Sequence, residues 1–206
     1  MLEVAGAAVV GYLLGTLPSA DIVCWFVTRG RVDLRSAGSG NPGGLNAMKE
    51  IGTAWGIVVI AADVVKGVGA GFAGMAIAGD AGGYAAASTA IAGHIFPAWS
   101  RFKGGKGVAT SAGSCLAVFP AYFPVDVVVG VVGAARTRHP ERTIWGNAAV
   151  WVVGALIWWL ADLPNLWGPD PSWGLVAFSV IGAGLIVGKF RAAARAAARR
   201  AAAATP

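Results

Sequence analysis

The sequence predicts an all-α membrane protein, a polytopic bundle of about seven transmembrane helices. Of its 206 residues, 56% are hydrophobic, 13% are charged and 31 are glycine, a composition unlike that of soluble domains. Apolar runs long enough to cross about 30 Å of hydrocarbon recur along the whole chain. The basic residues fall in alternate loops between those runs, which is the pattern of a multi-pass membrane protein.

Seven apolar runs define the predicted spans. Glycine and proline interrupt several runs, as transmembrane helices tolerate. Pro120 and Pro124 divide the fourth run from the fifth, so that this stretch is either one kinked helix or two short ones. The predicted spans cover residues 3–28, 51–75, 82–98, 107–119, 121–136, 143–162 and 173–189.

The placement of the basic residues favours two helices in that stretch. With seven spans, every Lys and Arg of the 16 except Lys66 falls in a loop on the same side. Because cytoplasmic loops are enriched in Lys and Arg, we expect an external N-terminus and a cytoplasmic C-terminus. Residues 1–190 should form one transmembrane domain. The Ala- and Arg-rich tail, 191–206, is expected to be a short helix lying on anionic cytoplasmic lipid.

The same distribution excludes other classes of protein. A pI near 9.8 would suit a soluble nucleic-acid-binding protein, but the charge lies in loops between apolar spans, so no nucleic-acid partner is expected. With two histidines, and with Cys24 and Cys115 each in apolar surroundings, no metal-ligand spacing is present. We expect neither a metal nor another cofactor.

The stretch RFKGGKGVAT, residues 101–110, follows the third span. Gly104, Gly105 and Gly107 allow the backbone to approach a ligand and to point N–H groups at an anion. Lys103 and Lys106 add positive charge, and the next helix offers its positive N-terminal end. The spacing is not that of a nucleotide-binding P-loop. The stretch predicts a phosphate cradle, and the alternative is a basic loop that only sets topology.

A second loop on the same side, RSAGSGNPGGLNAMK at residues 35–49, combines glycines with small polar groups. A loop that only connects two helices does not need so many flexible and hydrogen-bonding positions. Two such loops favour two phosphate-bearing substrates or one large one. The polar residues are Ser36, Ser39, Asn41 and Asn46.

Inside the spans, the ionisable residues are the functional candidates. Asp63 and Lys66 are three residues apart on one helical face, where they can neutralise each other, so a purely structural pair is equally consistent. His94 lies near the cradle at the cytoplasmic half of the third span, as a substrate contact or as a core histidine. Asp21 and Ser19 are weaker candidates.

Four stretches resemble the membrane acyl-phosphate:glycerol-3-phosphate acyltransferases of bacterial phospholipid synthesis. They are GTLPSA, GSGNPGGLN, DVVKG and, most specifically, GHIFPAWSRFKGGKGVAT. The resemblance implies a seven-helix protein of the bacterial plasma membrane with a site facing the cytoplasm. It implies transfer of an acyl chain from acyl phosphate to the 1-hydroxyl of glycerol 3-phosphate, which gives lysophosphatidic acid and phosphate.

The resemblance also implies site residues by position. The acyl-phosphate head group would contact the GGKG loop, and the acceptor would be held by Ser39, Asn41 and Asn46. The expected catalytic residues are His94, Lys106 and Ser39, with His94 as the protein alternative to a substrate phosphate as the base. From the resemblance and the residue patterns together, the expected substrate-binding residues are Asn41, Gly43, Asn46, Lys49, Asp63, Lys66, Lys103, Gly104, Gly105, Gly107 and Thr110.

The sequence departs from the family pattern at three places. Lys49 stands where the family has arginine, which keeps the charge but not the bidentate fork. Leu45 replaces a threonine. After the last span the family has a segment of the type His-Arg-x-Asn-Ile-x-Arg, whereas this chain reads GKFRAAARAAARR, without asparagine. Lys189, Arg191 and Arg195 remain as cations there.

Two alternatives to the acyltransferase stay open at this point. One is a transporter of phospholipids or lysolipids, against which the lack of a visible inverted repeat counts. The other is a divergent paralogue with a different acceptor or no activity. A soluble acyl-phosphate synthase is a candidate partner on the basic face, and the oligomeric state is not predicted.

Overall fold

The chain folds into a bundle of α-helices, in agreement with the predicted class. The computed structural model describes residues 1–136 and 140–203. No β-strand occurs in these two ranges. The helices are α1 (Leu2–Gly15), α2 (Ser19–Thr28), α3 (Gly44–Glu50), α4 (Thr53–Ile95), α5 (Val108–Val118), α6 (Phe123–Arg136), α7 (Pro140–Leu160) and α8 (Trp173–Ala203), with a 3₁₀ turn at Ala98–Ser100 between α4 and α5.

Length and hydropathy mark several of these helices as membrane-spanning. Among the described residues, four stretches are long and apolar enough to cross a bilayer, and α5 is a shorter apolar helix. The four stretches are Leu2–Thr28, Thr53–Ser100, Thr143–Leu160 and Trp173–Arg199. The chain is therefore an all-α membrane protein.

The first predicted span is two helices rather than one. α1 ends at Gly15 and α2 begins at Ser19. Pro18 has no N–H to donate, so the regular helical hydrogen bonding cannot continue through this position. At the break the Leu17 carbonyl accepts the Ser19 amide at 3.0 Å, and it also accepts a side-chain donor in the site described below.

The second and third predicted spans are the two arms of α4. At 43 residues this helix would be about 64 Å long if straight, twice the hydrocarbon thickness. Non-helical backbone angles at Ala78 and Gly79, which has a φ of 57°, turn the chain back. Gly74 then packs against Gly82, and Asp63 lies opposite His94. The two arms, 53–77 and 80–95, are therefore antiparallel.

Small residues let α1 lie directly against the second arm of α4. A side chain at Gly11 or Gly15 would collide with the backbone of Ala86 or Ala90, and one at Gly93 with the backbone of α1. Close approach of helices through small residues is the usual packing in membranes. This contact holds the break between α1 and α2 beside the end of α4.

The fourth and fifth predicted spans are confirmed as separate helices. α5 ends at Val118 and α6 begins at Phe123. The connection between them carries Phe119 and Tyr122, whose rings stack at 5.1 Å inside the main aromatic cluster. Trp151 of α7 and Phe178 of α8 meet edge to face in the same cluster, with ring centroids 5.2 Å apart.

Contacts between side chains join the basic segments at one end of the bundle. Arg35 donates to Ser100 Oγ at 3.2 Å, Lys189 lies 5.8 Å from the Phe96 ring, and the Arg191 guanidinium lies 4.5 Å from the Trp145 ring. The loops after α2 and after α4, the first turns of α7 and the second half of α8 therefore share one face, as the charge pattern predicts. Arg138 lies outside the described residues.

The last helix is longer than the predicted span. α8 continues without a break through the predicted boundary at residue 190 and ends at Ala203. The final residues of the tail, 204–206, lie outside the described residues. Alanine and arginine are strong helix formers, so nothing in this segment stops the helix at the membrane surface.

Candidate active site

A polar cleft of about 280 Å³ opens at the basic end of the bundle. The break between α1 and α2 forms one wall, both arms of α4 form another, and the two glycine-rich loops cover the rest. The ionisable groups that line it are Asp21, Arg35, Asp63, Lys66 and His94, and Gly104 and Gly105 form its rim.

Asp63 stands at the centre of a buried ionic group. Its Oδ1 lies 2.8 Å from Lys66 Nζ and 3.5 Å from His94 Nδ1. The side chains of all three are less than 10% exposed. The predicted pairing of Asp63 with Lys66 on one helical face is confirmed, and the antiparallel hairpin adds the histidine.

Lys66 has a second partner that the sequence did not predict. Its Nζ donates a hydrogen bond of 3.0 Å to the carbonyl of Leu17. That carbonyl is available because the helix is interrupted at Thr16–Pro18. The buried ammonium is thus held by one carboxylate and one carbonyl, which meets the requirement that charges buried in a membrane be paired.

The two glycines at the start of the GGKG loop touch the histidine directly. The Gly104 amide donates to the Ile95 carbonyl at 3.1 Å and the Gly105 amide to the His94 carbonyl at 3.2 Å. A side chain at Gly105 would collide with His94 Nε2, and one at Gly104 with the His94 carbonyl. Both N–H groups therefore hold the loop against α4, whereas the sequence analysis assigned them to an anion.

The rest of that loop keeps the predicted features of an anion site. Gly107 adopts a φ of +86°, which favours glycine, and α5 begins at the next residue. The first-turn amides of a helix lack intrahelical acceptors and carry partial positive charge. Lys106 is half-buried, and burial lowers the pKa of its ammonium below the ordinary value. Its charge is present below that pKa and is lost as pH rises through it.

Asn46 organises the first loop from inside. Its Oδ1 accepts the Ser39 amide at 2.9 Å, and its Nδ2 donates to the carbonyls of Leu34 at 3.0 Å and Ala37 at 3.1 Å. The side chain is 4% exposed. Its polar atoms thus serve the loop, and its predicted contact with an acceptor remains a prediction.

The other predicted residues of the first loop lie outside the cleft wall. Ser39 and Lys49 are exposed and Asn41 is half-buried. Gly43 lies next to the Asn41 side chain, so that a Cβ there would come within 2.8 Å of the amide nitrogen. None of these four residues lines the cleft, although Pro42, between Asn41 and Gly43, does.

Two predicted residues of the second loop and of α5 take opposite positions. Lys103 is exposed, three residues before the half-buried lysine. Thr110 is fully buried, and its Oγ1 has no hydrogen-bond partner among the described residues. Its backbone carbonyl lies against Gly67, one residue after Lys66.

Arg35 is the site residue that the sequence analysis missed. It forms an ion pair with Asp21, which the sequence analysis ranked as a weak candidate, and it donates to Ser100 Oγ. The pair ties the first glycine-rich loop to α2 and to the second loop. The available signal was an acidic residue at the inner end of the first span, opposite a loop that begins with arginine.

A sequence model described as glycerol-3-phosphate acyltransferase matches residues 5–199. This chain belongs to the glycerol-3-phosphate acyltransferase family. The glycerol-3-phosphate acyltransferase of Symbiobacterium thermophilum is 35% identical over 165 residues, which cover 80% of this chain and 79% of that protein. Glycerol-3-phosphate acyltransferase 2 of Moorella thermoacetica is 42% identical over 114 residues, 55% of this chain and 58% of the relative.

Solved glycerol-3-phosphate acyltransferases have the same fold. The glycerol 3-phosphate form of PlsY, an integral membrane glycerol 3-phosphate acyltransferase, superposes with a TM-score of 0.72 at 25% identity. The comparison covers 91% of this chain and 88% of PlsY. A second PlsY structure, the lysophosphatidic acid form, gives a TM-score of 0.73 at 24% identity. The family resemblance seen in the sequence is therefore confirmed, and the chain is an integral membrane enzyme of that family.

Proposed function

We propose that this enzyme transfers an acyl chain from acyl phosphate to the 1-hydroxyl of glycerol 3-phosphate at the cytoplasmic face of the bacterial plasma membrane. Lysophosphatidic acid and inorganic phosphate are the products. The observation that carries the proposal is the contact between the GGKG loop, with its half-buried lysine, and the buried Asp63–Lys66–His94 group. This contact places a cationic loop, suited to a phosphate group, beside a polar cleft inside a bundle of membrane helices.

The distribution of positive charge supports two phosphate-bearing substrates. Lys106 and the N-terminus of α5 suit the phosphate of the donor. Arg35 at the cleft wall suits the phosphate of the acceptor, and we assign the exposed Lys49 to the same phosphate. We assign Ser39 and Asn41 to the acceptor as well, and Asn46 to the shape of the loop that presents them.

A groove between α5, α6, α7 and α8 suits the acyl chain. It is an open groove of about 400 Å³ that begins at Val108, two residues after the cradle lysine. Its walls are mostly apolar, and Asn147 donates to Asp126 at 2.8 Å along one side. An acyl chain whose head group sits on the GGKG loop can therefore enter the bundle without crossing water. The residues that form the groove include Val108, Cys115, Ile144, Ala148, Trp151 and Ile186.

The reaction needs no protein nucleophile, because an acyl phosphate is already an activated mixed anhydride. The 1-hydroxyl oxygen attacks the acyl carbonyl carbon, and the bond from that carbon to the phosphate oxygen breaks. Phosphate leaves with the electron pair, and the hydroxyl proton ends on a phosphate oxygen. Alignment of the two substrates and stabilisation of phosphate charge then supply the catalysis.

The identity of the proton acceptor can be tested at His94. With a substrate phosphate as the base, His94→Ala should keep measurable turnover, and its main effect should be a raised KM because the cleft wall is altered. If kcat instead falls about 10³-fold while both substrates still bind, the histidine is the base and the substrate-assisted route is wrong. Steady-state kinetics with separate titration of each substrate distinguishes the two outcomes.

The cytoplasmic orientation is part of the proposal. Its support is the positive-inside rule applied to the face where the basic loops meet. Cysteine labelling from outside intact cells tests it: a Cys placed at Leu163, in the α7–α8 connection, should react, and one placed at Ser39 should not. The opposite pattern would reverse the orientation.

The direct test is phosphate release by the purified protein in detergent or lipid cubic phase. Palmitoyl phosphate should yield phosphate only when glycerol 3-phosphate is added, with lysophosphatidic acid formed in equal amount. Transport of labelled lysolipid without phosphate release would identify a carrier. Phosphate release with a different acceptor would identify a divergent paralogue, the alternative suggested by the altered segment after the last span.

A further inference from the structure

Lys106 rests on an aromatic ring instead of a carboxylate. Its Nζ lies 4.4 Å from the centroid of the Phe190 ring, which projects from α8. Among the described residues, Lys106 forms no salt bridge and no side-chain hydrogen bond. A second contact of this kind has the lysine on α8 and the ring on the loop. Lys189 Nζ lies 5.8 Å from the centroid of the Phe96 ring, at the other end of the loop.

A ring face holds an ammonium in a way that an acidic residue does not. The attraction comes from the negative face of the π system, and it neither neutralises the charge nor takes a directed N–H···O bond. The ammonium therefore keeps its full charge and its donors for an anion. An Asp or Glu in the same place would fix the lysine equally well but would compete with a phosphate for it.

Phe190 is itself fixed in position. It lies in the middle of α8 and packs against the main hydrophobic cluster, so the ring is anchored by the bundle rather than by the loop. The contact thus fixes the position of the Lys106 side chain relative to α8. Because Lys189 and Phe190 are consecutive, one turn of α8 holds both the first and the last part of the loop from Phe96 to Lys106.

We propose that Phe190 is a positioning residue that holds the Lys106 ammonium beside the start of α5, oriented to receive a phosphate group. This inference rests on the proposed function for the identity of the ligand, but the contact and its effect on phosphate binding can be measured without turnover. The ring is expected to act through Lys106 and to touch no reacting atom.

The test uses NMR of protein labelled at the lysine side chains, with Lys106 assigned by the signal lost in Lys106→Arg. In the wild type, the Lys106 signal should show an upfield shift from the ring face. Phe190→Tyr keeps the ring and should keep the shift. Phe190→Leu keeps an apolar side chain of similar bulk without the ring, and should abolish the shift while leaving the Lys49 signal in place, which reports an intact fold.

The functional arm is a titration of the same samples with inorganic phosphate. Phe190→Leu should weaken phosphate binding at Lys106 about three- to tenfold, the range expected for loss of a cation–π contact, and Phe190→Tyr should bind like the wild type. Equal affinities in the Leu and Tyr variants, or a Lys106 signal unaffected by Phe190→Leu, would overturn the inference. Failure of the proposed function is a separate result, since it would appear as no acceptor-dependent phosphate release by the wild type.

Discussion

Lys106→Ala is expected to lower kcat/KM for the acyl-phosphate donor by about 10²-fold or more. The substitution removes the half-buried ammonium beside the N-terminus of α5, where the leaving phosphate gains charge as the bond to the acyl carbon breaks. Stabilisation of developing charge in a site partly shielded from water is worth several kcal/mol, on the order of 3. Phosphate release with palmitoyl phosphate and glycerol 3-phosphate measures the loss directly.

Three variants control this prediction. Lys103→Ala removes an exposed cation from the same loop and should have a much smaller effect, and Arg199→Ala removes an exposed cation from the tail and should have none. Lys106→Arg keeps the charge, and because arginine stays protonated at all accessible pH values, it should extend activity to higher pH than the wild type. Equal losses in Lys106→Ala and Lys103→Ala would show that the loop supplies only a general positive field.

Asp63→Ala is expected to be the most destabilising single change in the site. It leaves the Lys66 ammonium buried with only the Leu17 carbonyl as a partner. Removing one member of a buried ion pair typically costs about 3–5 kcal/mol, because the remaining charge is uncompensated. The unfolding midpoint of the detergent-solubilised protein should fall strongly, and activity should fall with it.

The loss of fold and the loss of function can be separated with a double variant. Asp63→Leu with Lys66→Met replaces the pair by apolar side chains of similar volume, which should restore most of the stability. Activity should stay low if the pair also shapes the cleft and orients His94. A double variant that is both stable and fully active would assign the pair to structure alone. In that case the two glycine-rich loops alone would supply the groups needed for activity.

Features that arise from residues close together in the chain could be predicted from the sequence. The apolar runs and loop charges gave the helical bundle and the common face of the basic loops. The three-residue spacing of Asp63 and Lys66 gave their ion pair, because helical geometry alone places them together. The position of Gly107 directly before α5 was predicted for the same reason, since it depends only on neighbouring residues.

Other features depend on contacts between distant segments. The amides of Gly104 and Gly105 bond to the end of α4, and Asn46 bonds to a loop up to 12 residues earlier. The ion pair of Arg35 with Asp21 joins residues 14 apart in the sequence, on the loop and on α2. Glycine content and hydrogen-bonding capacity are visible in a sequence, but the partner that uses them is chosen by tertiary packing.

The unbroken course of α8 carries three arginines past the end of the predicted span. Arg191, Arg195 and Arg199 recur every fourth residue, so they follow one another at steps of about 6 Å along the same side of the helix. A helix that starts at Trp173 has travelled about 27 Å when it reaches Arg191, close to the full hydrocarbon thickness. If α8 keeps this direction through the bilayer surface, we expect the three side chains to reach lipid phosphates at successive depths, whereas a tail lying flat on the surface would present them all at one depth.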